Sequence, residues 1–225
     1  MIIRGGFRHR ASPTDSIQQR HVELVQRLRD PMESWLGEYD PSAIHFESET
    51  VDSGAADFSD ALHNGVSAAV SYCSRNAIDA DHGMYDDVLT LEFDPSRANY
   101  SVFALPVFGQ LAKIFGAYRA SVVLDEELDL DDYDQILDEV DATGCDVDGR
   151  DGVFRISPVC FFDRELCIRA FGISPAEIVD RLAGKIEHVE IIDDGALIIA
   201  TREILDSSSL VALDRGIRDL LDLST

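Results

Sequence analysis

An α+β fold, with a largely antiparallel sheet built from hairpins and helices packed on it, is what the sequence predicts. Three observations carry the prediction. Period-two alternation recurs in short segments, as in Val66, Ala68, Val70 and Tyr72. Turn signals at Asn64-Gly65 and Asp193-Asp194-Gly195 join such segments as hairpins. Helical stripes are interspersed without the repeated βαβ units that a parallel sheet requires. With 225 residues, 45% of them hydrophobic and 28% charged, the chain can bury a full core. No repeat, low-complexity tract or Gly/Ser linker divides it, so residues 1–225 are expected to form a single domain.

The elements follow in order. Met1–Phe7 reads as a short strand. Ser12-Pro13-Thr14-Asp15 reads as a capping box opening a helix whose apolar face is Ile17, His21, Leu24, Val25 and Leu28, and Asp30-Pro31 stops it. The single tryptophan, Trp35, follows as a core anchor for that helix, with an aromatic interface residue as the alternative reading. Phe58 to Tyr72 fits either a helix or a hairpin, and Asn64-Gly65 decides for the hairpin. Leu89/Leu91/Phe93 and Tyr100/Val102/Ala104 alternate as two further strands. Pro106 opens a helix carrying Val107, Leu111, Ile114 and Phe115, and Ala120–Leu124 returns as a strand.

Within the acidic segment that comes next, Tyr133, Ile136, Leu137 and Val140 form a thin apolar stripe, the signature of a helix with a wet acidic face. Val153–Ile156 and Val159–Phe162 read as strands. Ser174-Pro175-Ala176-Glu177 is a second capping box, opening a helix with Ile178, Val179 and Leu182. Val189–Ile192 and Ala196–Ala200 form the late hairpin. An amphipathic helix bearing Leu210, Leu213, Ile217, Leu220 and Leu221 ends the sequence.

Charge narrows the function. The chain carries 43 acidic and 19 basic residues, a formal net charge of −24. A protein that binds phosphate backbones directly needs a basic face, so nucleic acid is not expected as a direct ligand. The acidity is concentrated rather than spread: residues 31–94 sum to −13 and residues 125–151 to −12, whereas residues 1–30 and 95–124 each sum to +3. A solvated face and adaptation to high salt, with 29 Asp, 14 Glu and only two Lys, are the plain readings of such acidity. Neither accounts for neighbouring segments of opposite sign. No apolar run approaches the ~18 residues of a membrane span, and MIIRGGFRHR has no signal-peptide core, so a cytoplasmic protein is expected. The four cysteines, Cys73, Cys145, Cys160 and Cys167, lack metal-ligand or CxxC spacing and fit a reducing compartment.

Catalytic signatures are missing from the sequence: no GxSxG, HExxH or Walker loop, with Gly184-Lys185 followed by Ile186. The six histidines, at positions 9, 21, 45, 63, 82 and 188, are scattered, and a lone one such as His21 is expected to be a packed or surface residue. Asp146-Val147-Asp148-Gly149-Arg150-Asp151-Gly152 resembles a calcium loop, but Arg150 and Ser157 occupy positions that need an oxygen donor and a bidentate Glu. It is expected to be a polar turn. Neither lysine has an acid two residues before it, as a metal-dependent nuclease would want. No catalytic, cofactor or metal site is expected. A hydrolase using paired carboxylates and a divalent metal stands as the alternative, alongside an acidic non-enzymatic module adapted to salt.

Several stretches resemble the immunity protein 52 family of bacterial polymorphic-toxin and type VI secretion systems. They are Gly6-Phe7-Arg8-His9-Arg10 after an opening strand, Asp30-Pro31-Met32-Glu33-Ser34-Trp35-Leu36, His63-Asn64-Gly65, Tyr100-Ser101-Val102-Phe103-Ala104-Leu105-Pro106, and the run from Asp193 to Thr201 before a terminal helix. The sequence departs from the pattern where a Trp-Gly pair is usual near residue 7 and where His63 replaces Trp before Asn-Gly. The resemblance implies an antitoxin that binds and blocks a restriction-endonuclease-fold toxin delivered by a neighbouring cell, with no catalytic residues of its own. A nuclease presents a basic cleft, which an acidic protein can cap. On that reading the partner-facing patch is Asp125, Glu126, Glu127, Asp129, Asp131, Asp132 and Asp134, and the partner a cognate basic nuclease toxin. Nothing in the sequence sets the oligomeric state.

Overall fold

The structure is a computed structural model and describes residues 1–50, 53–75 and 85–223. The fold is α+β, and the chain forms two compact units, Met1–Ala117 and Tyr118–Thr225. His82 lies outside the described residues.

The first unit contains β1 (Ile3–Arg10), α1 (Ile17–Arg27), α2 (Arg29–Leu36), β2 (His45–Thr50), β3 (Ser53–Asp57), β4 (Ser67–Tyr72), β5 (Asp86–Phe93), α3 (Tyr100–Val102) and α4 (Phe108–Phe115). Its strands are ordered β2-β3-β4-β5-β1, every neighbour antiparallel. The pleat sends Ile3 and Phe7 of β1, Val70 of β4 and Leu89, Leu91 and Phe93 of β5 to one buried face. Aromatic side chains carried by the helices cover it. Phe108 of α4 lies 5.1 Å from Phe7 between ring centroids. Trp35 of α2 packs at 4.9 Å on both Phe93 and Phe103 and donates Nε1–H to the Asn99 carbonyl at 3.1 Å, so it is the core anchor that its size suggests. His21 is buried, stacked on Phe46 at 4.4 Å and 3.3 Å from the Tyr72 hydroxyl, which makes it a packed histidine.

Four expectations for this unit are corrected. The cap of α1 is Ser16, whose Oγ accepts from Gln19 N at 3.3 Å, while Ser12 forms a turn with Thr14 and Asp15. Asp30-Pro31 does not end helical structure. Pro31 sits in the first turn of α2, where no intrahelical N–H is required of it. Tyr100 to Ala104 is not a strand. Asn99 accepts from Val102 N at 3.2 Å as an N-cap, and Tyr100, Phe103, Ala104 and Val107 are buried at helical spacing, a period that the polar Ser101 disguises as alternation. Pro106 therefore lies inside the helix rather than at its start, in a π-helical turn over Phe103–Val107. The Asn64-Gly65 turn forms as expected, with φ of 60° and 69°, but its two strands are β3 and β4 and a 3-10 turn over Ser59–Ala61 lengthens the connection.

The second unit contains β6 (Arg119–Val123), α5 (Glu126–Thr143), β7 (Val159–Phe162), α6 (Arg164–Phe171), α7 (Pro175–Leu182), β8 (His188–Ile192), β9 (Gly195–Ile199) and α8 (Ser207–Leu220). Its strands run β6-β7-β9-β8, again antiparallel throughout. The core joins Cys160 and Phe162 of β7 and Ala196 and Ile198 of β9 to Leu166, Cys167 and Phe171 of α6, Ile178 and Leu182 of α7 and Ile217 of α8. Burial raises the thiol pKa of Cys160, and it pushes that of Cys167 up to about 12, so both behave as small apolar residues. The second capping box closes in both directions: Glu177 N donates to Ser174 Oγ at 3.3 Å and Ser174 N to Glu177 Oε2 at 2.9 Å. Gly195 is required at its turn, because a Cβ there would lie 2.5 Å from the Phe161 ring and the Phe162 carbonyl oxygen.

Val153–Ile156 is not a strand. Its backbone groups are claimed by side chains instead of a ladder: Asp148 accepts from Phe154 N, Asp214 accepts from Ile156 N, and Arg218 Nη2 donates to the Val153 and Phe154 carbonyls, all at 2.8–2.9 Å. Helix α6 has no counterpart among the sequence expectations. Its Asp163 cap accepts from Leu166 N at 2.8 Å.

Candidate functional site

Among the polar concentrations, two differ in kind. In the first unit Asp87 is fully buried. Arg75 donates to its two oxygens at 2.7 and 2.8 Å, Cys73 N donates at 3.1 Å, and Arg20 Nε lies 3.3 Å from Oδ2. Partners within the unit occupy the carboxylate, which makes it a packing feature. In the second unit α5 is the reverse, a helix most of whose carboxylates are exposed.

Helix α5 spans 18 residues and carries nine carboxylates with no Lys, Arg or His. Asp125 caps it, accepting from Glu127 N and Leu128 N at 3.1 Å each. Ser207 Oγ donates to the other Asp125 oxygen at 2.5 Å, and these bonds, the serine's first, hold the Asp125 carboxyl below its ordinary pKa. The acids of the first turn, Glu126, Glu127 and Asp129, sit at the favourable end of the helix dipole. Further along, Glu139 and Asp141 approach the carboxyl end, where the dipole opposes them.

The seven residues of the expected patch divide. Glu126, Glu127, Asp131 and Asp134 are exposed, and Asp129 is half-buried. Asp132 is the one buried residue of the helix, held by Nε and Nη2 of Arg155, a pairing that keeps the guanidinium pKa raised. Asp125 and Asp132 are thus structural fastenings of α5. Of the other five, Glu126, Glu127, Asp131 and Asp134 are exposed along one helix, and Asp129 lies on its half-buried side with Ile136 and Val140.

The same helix carries a feature that the sequence reading missed. Its stripe of Tyr133, Ile136, Leu137 and Val140 is not turned inward as a unit. Ile136 and Val140 are half-buried, while Leu130, Tyr133 and Leu137 are 60%, 57% and 45% exposed. The available signal was their own spacing of i, i+3 and i+7, which puts all three on one side of the helix.

The segment that mimics a calcium loop is a polar turn. Asp146 accepts from Arg150 N at 3.0 Å, Asp148 takes Arg119 Nη2 at 2.5 Å, and Asp151 takes Arg169 Nη1 at 3.2 Å. Among the described residues, no group of three or more His, Cys, Asp or Glu side chains is arranged to hold a metal ion. No helix among them is long and apolar enough to cross a membrane.

No protein-family model and no curated protein matches the chain. Among solved structures the fold is similar to that of Pseudomonas aeruginosa T6SS protein PA0821. The TM-score is 0.57 and the identity 14%, with 99% of this chain and 73% of that chain covered.

Proposed function

We propose that the chain is an immunity protein, a binding protein rather than an enzyme. Its partner is a cognate nuclease toxin of restriction-endonuclease-like fold, whose basic active-site cleft it occludes. The observation that carries this reading is α5, a helix of nine carboxylates without a single base, seven of which, Glu126, Glu127, Asp131, Asp134, Asp138, Glu139 and Asp141, are exposed. A nuclease must hold positive potential where phosphates bind. An acidic surface competes for that potential, and long-range attraction speeds the encounter. Similarity in fold to a protein named for the type VI secretion system supports a role in the same kind of system. An inhibitor of this kind acts in the cytoplasm of the cell that makes it and needs no cofactor.

Two observations test the proposal together. The product of the adjacent reading frame, expressed alone in a bacterial host, is expected to arrest growth and degrade nucleic acid. Co-expression of this chain is expected to restore growth, and an equimolar amount of the pure protein to abolish cleavage in vitro. Growth arrest that persists with both proteins folded and present would remove the reading.

A further inference from the structure

Single apolar residues scattered on a surface carry no message, but three large ones aligned on one helix form a patch. Leu130, Tyr133 and Leu137 are 60%, 57% and 45% exposed and recur at i, i+3 and i+7. At about 100° per residue they fall within an arc of about 60°. Helix α5 does not depend on them for attachment, since Asp132 on Arg155 and Asp125 on Ser207 fasten it from the other side. Carboxylates border the ridge: Asp134, Asp138 and Asp141 follow one flank, and Glu126 stands at its amino end.

We propose that this ridge docks an amphipathic, Lys- and Arg-rich α-helix of a protein partner. The partner's apolar side chains interleave with Leu130, Tyr133 and Leu137, and its cationic flanks meet the bordering carboxylates. The inference rests on the neutralisation reading and deepens it, by naming the element of the toxin that α5 grips. Charge decides among occupants. A second copy of this chain would set two helices, each with nine carboxylates and no base, about 8–10 Å apart, and like charges at that distance repel. Anionic membrane lipids are repelled in the same way. A neutral apolar helix would desolvate the flanking carboxylates and leave them unpaired. A cationic flank pairs with them, its aliphatic stems lying along the ridge edge. Tyr133, at the middle of the ridge, is the natural anchor, because aromatic residues surrounded by a water-excluding rim dominate such contacts.

The test uses the full chain and two synthetic peptides of about 18 residues, roughly five helical turns, with identical Leu, Lys and Arg content. In one, the leucines fall on a single helical face; in the other, they are shuffled around the helix. Binding is read by fluorescence anisotropy near ~0.15 M salt. The amphipathic peptide is expected to bind at least about tenfold more tightly than the shuffled one. The double substitution Tyr133→Ser/Leu137→Ser is expected to erase that preference with an unchanged circular dichroism spectrum. Asp134→Asn/Asp138→Asn is expected to weaken both peptides in parallel. Equal binding of the two peptides, or a preference that survives the double substitution, overturns the proposal. So does self-association of the wild type that the double substitution abolishes, since the occupant is then a second copy. A chain that prefers the amphipathic peptide yet fails to protect against the adjacent toxin keeps the ridge and loses the neutralisation reading. A chain that protects while indifferent to the two peptides gives the converse.

Discussion

Asp132 and Asp134 stand two residues apart in α5 and differ in everything but chemistry. Asp132 is buried against Arg155, whereas Asp134 faces water. Removing one member of a largely buried ion pair leaves the other uncompensated. Asp132→Asn is therefore expected to cost about 2–4 kcal/mol of stability in urea unfolding. Neutralising Asp131 and Asp134 together, both exposed and beyond the first turn, is expected to leave the midpoint unchanged or raise it, because like charges on one helix repel. His21 supplies a pH dependence. Burial lowers its pKa below the usual 6.5, so the unfolded chain binds the extra proton first. Stability from this group is complete above its unfolded pKa of about 6.5 and declines as pH falls through that value toward the lowered folded one. Thermal unfolding followed from pH 7.5 to 5 is expected to show that decline, and less of it in His21→Phe. At this scale the sequence was legible for residues whose role is local, such as the Asn64-Gly65 turn and the Ser174 box, and for Trp35, whose size alone favours burial. It was not legible for Asp132, because its partner Arg155 lies 23 residues away, and Asp132 and Asp134 read alike until that partner is known.

As an element, α5 is unusual in being fastened mainly by polar contacts. Helices in folded proteins draw most of their stability from a packed apolar face; this one buries a carboxylate and leaves Leu130, Tyr133 and Leu137 in water. On that ground it is expected to open locally before α7 and α8. Its nine carboxylates repel one another most when screening is weak. Amide hydrogen exchange along α5 is expected to be faster than in α7 or α8 at low ionic strength and to slow on adding salt. Exchange that is slow and insensitive to salt would contradict this account of how the helix is held. Other elements show where pattern misleads. Tyr100 to Ala104 alternates as a strand does, yet Asn99 caps it as a helix. Val153–Ile156 has strand composition, yet Asp148, Asp214 and Arg218 take its backbone hydrogen bonds from elsewhere in the chain. In both cases the partners that decide the conformation lie outside the segment itself.

For the molecule as a whole, a net charge of −24 is a liability in isolation and, under the proposed function, an asset in encounter. Self-repulsion is expected to make the unfolding midpoint rise as salt goes from about 0.01 to 0.3 M, over which the screening length shrinks several-fold. The fold class and most strands were legible in the sequence, because alternation and turn signals report local backbone preference. The two compact units divide within the basic segment 95–124, where no Gly/Ser linker stands. The acidic patch was legible as charge but not as surface, because exposure depends on what the rest of the unit packs against. Steering is read from the association rate with the product of the adjacent reading frame, the proposed toxin, as a function of salt. The measurement compares the wild type with Glu126→Gln/Glu127→Gln/Asp131→Asn/Asp134→Asn. If the outer face of α5 steers the encounter, the wild-type rate falls steeply with ionic strength. The variant then starts about tenfold or more slower at low salt and converges with the wild type near 1 M. Equal rates for the two proteins at low salt, or a wild-type rate indifferent to salt, would mean that α5 does not steer the encounter.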